Sequence, residues 1–186
     1  MKKLSVLFLS LLMFISFTAC KKNDTQTEVV FGFMPLEFKY STDADDLCTT
    51  ITIDADGSFK GSFSDVAYNE SASDYPNGTV YYAKFSGKFT KIKKLGDTAY
   101  SLYLENINFD TPVGTEEIVD GTKSIVVKPQ GITAETEYIL HLPETPSADL
   151  HEVFLFSWPY RFEKPETLSC YGLYNTKSHD GLFAVS

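Results

Sequence analysis

The sequence predicts an all-β protein, an antiparallel meander of strands that closes into a barrel or coils strongly. From residue 29 onward, short runs alternate apolar and polar side chains and are separated by Gly, Pro, Asp and Asn. The alternation is typical of strands, and the separators are typical of the turns between them. Long helical segments do not alternate with these runs, which argues against a parallel α/β sheet.

A repeated aromatic–glycine–aromatic motif favours closure of the sheet. Phe59-Lys60-Gly61-Ser62-Phe63 recurs as Phe85-Ser86-Gly87-Lys88-Phe89. In a strand, the two phenylalanines and the glycine between them share one face. An inward glycine lets a sheet bend sharply, and flanking aromatic rings cover the gap. The expected architecture resembles the lipocalin-like barrels, and the alternative is a β-sandwich with two unrelated glycines.

Turn sequences divide the chain into hairpins. Segments 54–58, 94–97, 120–121 and 180–181 each contain Asp and Gly, which favour tight turns between antiparallel strands. The predicted strands are Val29–Met34, Leu36–Tyr40, Thr49–Ile53, Phe59–Phe63, Val80–Phe89, Tyr100–Phe109, Glu117–Val119, Thr122–Val127, Glu137–Leu142, Leu168–Tyr174 and Leu182–Val185.

One short helix is expected near residues 146–157. Thr145 can cap it, and Pro146 suits its first turn. Pro159 would stop it, and the apolar residues between them fall at helical spacing: Leu150, Val153, Phe154 and Trp158. A strand over 153–158 is the alternative.

The N-terminus has the organisation of a lipoprotein export signal. Lys2 and Lys3 precede an apolar run over 4–15, and Thr18-Ala19-Cys20 follows. This order is that of a secretory signal, and the run is shorter than the ~20 residues that span a bilayer. The last three residues resemble a lipobox, which implies cleavage before Cys20 and diacylation of its thiol. Alternatives are a transmembrane anchor, or a secreted protein with a chance cysteine.

The expected organisation is therefore a lipoprotein signal peptide over 1–19, a lipidated tether over 20–28 and a single β domain over 29–186. Two acyl chains, such as palmitate, hold a protein firmly on a membrane. The domain is thus expected at the extracytoplasmic face of the cell membrane, anchored through diacylglyceryl-Cys20.

Charge and composition limit the partners of this domain. The formal net charge is -9, and loss of Lys2 and Lys3 with the signal leaves -11. So acidic a domain repels nucleic acid and anionic lipid headgroups, and direct binding to either, including a nucleic-acid partner, is not expected. The 15 Phe and 11 Tyr residues supply enough apolar surface for one sizeable core.

Two cysteines remain once Cys20 is assigned to lipid. Outside the cytoplasm, Cys48 and Cys170 are a candidate disulfide, and two separate thiols are the alternative. Closure of a barrel would bring its first and last strands together and, with them, the regions of both cysteines.

No catalytic or metal-binding constellation is evident. The histidines at 141, 151 and 179 lack zinc-site spacing, and a Gly-x-Ser-x-Gly nucleophile motif is missing. We therefore expect neither an enzyme nor a cofactor or metal, with a hydrolase as the alternative. His141 is expected to face solvent or a sheet edge.

Two polar features are candidates for binding. The segment Val66–Gly78 is long for a hairpin loop, and Tyr68, Tyr75, Glu70 and Asp74 offer contact surface and charge. A loop without a ligand is the alternative.

Five lysines cluster between residues 84 and 94. They form either a site for an anion or a partner, or a charged strand face that resists edge pairing: Lys84, Lys88, Lys91, Lys93 and Lys94.

Several stretches of the domain resemble a group of uncharacterised lipoproteins of Gram-positive bacteria. They are Tyr75-Pro76-Asn77-Gly78-Thr79-Val80-Tyr81, Phe85-Ser86-Gly87-Lys88-Phe89, Glu137-Tyr138-Ile139-Leu140-His141-Leu142-Pro143 and Tyr171-Gly172-Leu173-Tyr174-Asn175. The resemblance extends over most of the domain but brings no functional residues with it. Cys48 and Cys170 depart from the group's usual pattern.

The leading expectation is an anchored, non-catalytic binding module for a small or hydrophobic ligand, because small barrels can hold one such ligand. The alternative is a cell-envelope interaction, inhibitor or structural lipoprotein that acts through exposed loops on an envelope protein.

Overall fold

The computed structural model describes residues 30–32, 34–41, 47–156 and 164–185. The predicted signal peptide, Cys20 and the tether lie outside the described residues, as do Trp158 and Pro159. Ten strands are described: β1 (Leu36–Ser41), β2 (Cys48–Ile53), β3 (Ser58–Ala67), β4 (Thr79–Lys94), β5 (Ala99–Phe109), β6 (Glu116–Val119), β7 (Thr122–Val126), β8 (Thr136–His141), β9 (Gly172–Asn175) and β10 (Gly181–Val185).

Eight of these strands form a closed antiparallel barrel. Around the barrel the order is β1, β2, β3, β4, β5, β8, β9 and β10, and β10 pairs back with β1. Apart from the β6–β7 hairpin, which is inserted between β5 and β8, each strand therefore lies beside the next strand in the chain, which is the up-and-down arrangement of lipocalin-like barrels. The predicted all-β meander is confirmed. The β6–β7 hairpin lies outside this ring, because β7 pairs in parallel with the first residues of β4.

The aromatic–glycine repeats meet each other across the β3–β4 pair. Gly61 is in register with Phe85, and Phe59 is in register with Gly87. A Cβ atom on either glycine would lie 2.6 Å from the ring of the opposite phenylalanine. Each glycine thus makes space for the ring that covers it, and this reciprocal packing permits the sharp bend that closure requires.

Side chains fill the barrel interior. The Phe59 and Phe89 rings lie 5.2 Å apart, and the Phe89 and Tyr138 rings lie 5.3 Å apart, so aromatic contacts run from β3 through β4 to β8. Leu102 and Leu104 of β5 are fully buried among them. The interior of an eight-stranded barrel is just wide enough to be filled by side chains in this way.

The segment that leads into β1 closes one end of the barrel, which we call the entry end. Residues 30–32 form a helical turn rather than the strand predicted over 29–34. Phe31 is fully buried, and a Cβ atom on Gly57 would lie 2.8 Å from its ring. The predicted strand is wrong because Val30 and Phe31 bury their side chains in the barrel mouth and not on a sheet face.

The opposite, distal end is closed by residues 129–134. Thr49 Oγ1 of β2 donates to the Gln130 carbonyl oxygen at 2.7 Å, and Asn175 Nδ2 of β9 donates to the Gly131 carbonyl oxygen at 3.1 Å. Ile132 is buried in the core beneath these bonds. The described barrel is therefore covered at both ends.

The helix predicted near 146–157 is reduced to two short turns. Ser147–Asp149 is a 3-10 turn and Glu152–Leu155 is one α-helical turn, α1. Leu150 between them is extended, and His151 caps α1. Thr145 is not the cap, because its hydroxyl donates to the Leu142 carbonyl oxygen.

Candidate functional site

The predicted binding loop and the β6–β7 hairpin form one projection at the distal end. The Asn77 N–H donates to the Gly121 carbonyl oxygen, and Asn77 Nδ2 donates to the Asp120 carbonyl oxygen, each at 2.9 Å. The Lys123 N–H donates to the Gly78 carbonyl oxygen at 3.1 Å. We call this unit, residues 68–78 and 113–126, the distal platform.

Two of the four predicted contact residues hold the platform together. The Tyr81 hydroxyl donates to the Glu70 carboxylate, which raises the pKa of Tyr81. The Lys123 ammonium lies 5.7 Å from the centre of the Tyr75 ring and 2.8 Å from the Glu116 carboxylate. Glu70 and Tyr75 therefore shape the surface and are only partly available to a partner.

The other two predicted residues are accessible. Tyr68 is 70 % exposed, and Asp74 is also exposed. Every residue of β6 is exposed, including Ile118 and Val119. Within the described residues β6 pairs only with β7, so its second backbone edge is open. Sequence reasoning found this hairpin but not its place in the site, because its parallel pairing with β4 joins segments far apart in the chain.

The platform is acidic. It contains five carboxylates and one lysine, and that lysine is engaged by Glu116. Acidic surface beside exposed apolar side chains suits a partner that carries basic residues.

The outer face of β2–β5 carries two adjoining polar clefts, of about 410 and 530 Å³, which share Lys60 and Ser86. Lys84 lines one cleft and Lys88 the other, so the predicted basic concentration is divided between the clefts and the β4–β5 turn. Lys88 lies 2.9 Å from Asp56 and, with Ser58, holds the pKa of that carboxyl far below its usual value. Carboxylates also line both clefts, so neither presents a single sign of charge.

All three histidines converge on the outer wall around α1. His141 is buried with its ring 5.5 Å from that of Phe154, so the expectation that it faces solvent is wrong. The His151 ring stacks on His179 at 4.7 Å, and the Tyr174 hydroxyl lies 2.5 Å from His179 Nδ1. Burial lowers the pKa of His141 to about 4, which keeps its imidazole neutral at physiological pH.

Cys48 and Cys170 are not bonded to each other. Cys48 begins β2 at the distal end, whereas Cys170 precedes β9 at the entry end, with β1 and β10 between the two strands. Three strand spacings of about 4.8 Å already exceed the ~7 Å limit between disulfide-bonded Cα atoms. The predicted Cys48–Cys170 disulfide is therefore wrong. Closure of the barrel brings the first and last strands together, but the two cysteines lie at opposite ends of the barrel. Burial raises the pKa of the Cys48 thiol.

In the described part of the chain, no three His, Cys, Asp or Glu side chains come together in a way that would hold a metal ion. Nor is any described helix both long and apolar enough to cross a membrane. Comparison of the chain with protein-family models, with curated proteins and with solved structures found no match.

Proposed function

We propose that the protein is a membrane-anchored, extracytoplasmic lipoprotein that binds another cell-envelope protein through its distal platform, without catalysis. The observation that supports this proposal is the contrast between interior and exterior. Aromatic side chains occupy the interior and both barrel ends are covered, whereas the platform projects with an open strand edge.

The anchoring part of the proposal rests on the N-terminal sequence. The basic, apolar and Thr18-Ala19-Cys20 segments follow one another in the order of a lipoprotein signal. The resemblance to lipoproteins of Gram-positive bacteria supports the same assignment. Palmitate labelling of the parent protein and of Cys20→Ala tests it, and label on both variants or on neither contradicts it.

The binding part rests on β6. An open strand edge can accept an extended peptide as a further strand, with main-chain hydrogen bonds for affinity. Ile118 and Val119 offer apolar contact, and Glu116 and Glu117 favour lysine or arginine in the added strand. The proposed partner segment is therefore extended and basic.

A small or hydrophobic ligand inside the barrel has weaker support. Such a ligand would have to displace the Phe59, Phe89 and Tyr138 rings, or the segment 129–134 that is tied across the distal end. The exterior-binding alternative raised by the sequence therefore becomes the preferred function.

Photo-crosslinking in intact cells tests the binding surface. A photoreactive residue at position 118 is compared with one at position 153, because Ile118 and Val153 are 46 % and 48 % exposed. We expect a discrete crosslinked protein from position 118 only. A Val119→Asp substitution, placed on the same strand, should abolish that product. Equal crosslinking from both positions, or none from position 118, would contradict the platform as the binding surface.

A further inference from the structure

The β4–β5 hairpin projects from the barrel wall at the entry end. Lys88 of β4 is in register with Ser58, the first residue of β3, and β4 then continues for six residues to Lys94. Beyond this point β4 is paired with β5 but no longer with β3. The turn after Lys94 therefore lies past the β2–β3 connection. We call residues 91–97 the basic tip.

The basic tip combines positive charge with one exposed apolar side chain. Lys91, Lys93 and Lys94 are exposed, and Leu95 is 50 % exposed at the turn. Lys91 lies over the Tyr103 ring at 4.1 Å. Lys94 pairs with Asp97 at 2.9 Å, but both side chains are largely open to solvent, where such pairs are weak.

The chain enters the domain at this same end. Val30 and Phe31 are buried in the core, and Phe31 packs beside Gly57 of the β2–β3 connection. Cys20 precedes Val30 by ten residues, which span at most about 33 Å when fully extended. The burial of Phe31 fixes the exit point of the tether, so the attachment to lipid begins at the entry end.

We propose that the basic tip lies on the anionic headgroups of the bilayer that anchors the protein, with Leu95 at headgroup depth. This orientation rests on the proposed lipidation of Cys20. Lysines close to an anionic leaflet are attracted to it over about a Debye length. The tip has three lysines and one carboxylate, whereas the distal platform has five carboxylates and one lysine.

The domain as a whole is acidic, so the attraction is local to the basic tip, and the difference in charge between the tip and the platform supports the same orientation. An anionic surface attracts the basic tip and repels the platform, so the barrel stands on its entry end. Three nearby carboxylates oppose this attraction: Asp54 and Asp56 of the β2–β3 connection, and the exposed Glu144, which follows the Leu142 N–H that donates to the Thr98 carbonyl oxygen. Lys88, 2.9 Å from Asp56, offsets one of these charges. The platform then points away from the membrane, where an envelope partner can reach it.

Lysine footprinting of the native acylated protein tests the orientation without any substitution. The protein is reconstituted in phosphatidylcholine vesicles with and without phosphatidylglycerol and treated with an amine-reactive reagent, and each lysine is quantified by mass spectrometry. We expect labelling of Lys91, Lys93 and Lys94 to fall about threefold when phosphatidylglycerol is present. Lys177, exposed in the β9–β10 connection at the distal end, is the internal control and should not change.

A matched pair of variants separates a specific contact from general charge attraction. Leu95→Asp should abolish most of the protection at the tip, whereas Val119→Asp on the platform should leave it intact. Unchanged labelling of the tip, or equal protection of Lys177, in protein that co-sediments with vesicles overturns the orientation and leaves the anchoring proposal standing. Failure of the parent protein to co-sediment overturns both.

Discussion

At the entry end, Val30 and Phe31 close the barrel by burying apolar side chains, whereas at the distal end residues 129–134 close it through hydrogen bonds to the strands. Apolar burial has no direction and depends on the volume that is filled. The hydrogen-bonded closure depends on the partners and geometry of a few polar groups. The two ends should therefore respond to different substitutions.

The largest effect is expected from removal of the apolar plug. Phe31→Ala empties a fully buried site beside Gly57 and should lower the free energy of unfolding by about 3–5 kcal/mol, measured by urea denaturation. Phe156→Ala is the control, because Phe156 is largely exposed and its loss should cost less than about 0.5 kcal/mol. Equal unfolding midpoints for the two variants would show that Phe31 does not close the entry end.

Acid should weaken the wall near the entry end. Burial lowers the pKa of His141 to about 4 from an unfolded value of 6.5, and Asp149 opposes the shift. The stability that comes from keeping His141 neutral is fully present above pH 6.5 and is lost as the pH falls towards 4, because His141 of the unfolded chain takes up a proton at higher pH than His141 of the folded chain. The loss should reach about 3 kcal/mol.

The His141→Leu variant supplies the comparison for this pH effect. Its side chain fills a similar volume against Phe154 and does not titrate. The difference in unfolding free energy between parent and variant should change between pH 7 and pH 4, as measured by denaturation at each pH. A constant difference would mean that His141 is not buried in its neutral form.

The polar closure at the distal end should be weakened by loss of one amide. Asn175 Nδ2 donates to the Gly131 carbonyl oxygen and to the Tyr138 hydroxyl, each at 3.1 Å. Asn175→Ala takes this donor from the Gly131 carbonyl oxygen and also removes Oδ1, which accepts from the Lys177 and Ser178 N–H groups, and should cost about 2 kcal/mol in urea denaturation. Asn108→Ala, at an exposed position of β5, should be nearly neutral. Similar losses of unfolding free energy for Asn175→Ala and Asn108→Ala would show that hydrogen bonds do not close the distal end.

The smallest effect on stability is expected from the hydrogen bond that joins the two parts of the distal platform, the loop and the β6–β7 hairpin. Asn77→Ala removes the side-chain bond to the Asp120 carbonyl oxygen and should cost only about 0.5 kcal/mol of global stability. Amide hydrogen exchange of β6 and β7 should nevertheless accelerate, because local opening becomes easier while the barrel stays closed. Acceleration throughout the barrel would show that the platform and the barrel open together.

Local sequence patterns predicted most of the barrel. Alternation and Asp-Gly turns located seven of the ten strands to within one residue at each end, and the Phe-x-Gly-x-Phe repeats indicated closure. The strand predicted over 168–174 is largely irregular, since only Gly172–Asn175 pairs. Strand β3 continues past the predicted end at Phe63 to Ala67. Strand β4 continues past the predicted end at Phe89 to Lys94, where register shifts after Gly87 and Thr90 interrupt the alternation.

Non-local features were beyond those patterns. The parallel pairing of β7 with β4, the insertion of Phe31 and the gathering of the three histidines around α1 each join segments distant in the chain. The loop at 66–78 was identified by its length and polarity, but the roles of its side chains depend on the hairpin that packs against it. Loop composition alone does not distinguish a residue that supports a surface from one that presents it.

The 16-residue strand β4 runs from the distal platform to the basic tip and pairs with β3, β5 and β7 along the way. A partner held at one end and a lipid anchor held at the other would pull along this axis. Force in that direction shears the interstrand hydrogen bonds of the barrel together, whereas a perpendicular pull would open them one after another. If the proposed partner and lipid anchor hold the two ends, the strands are therefore aligned to resist tension between them.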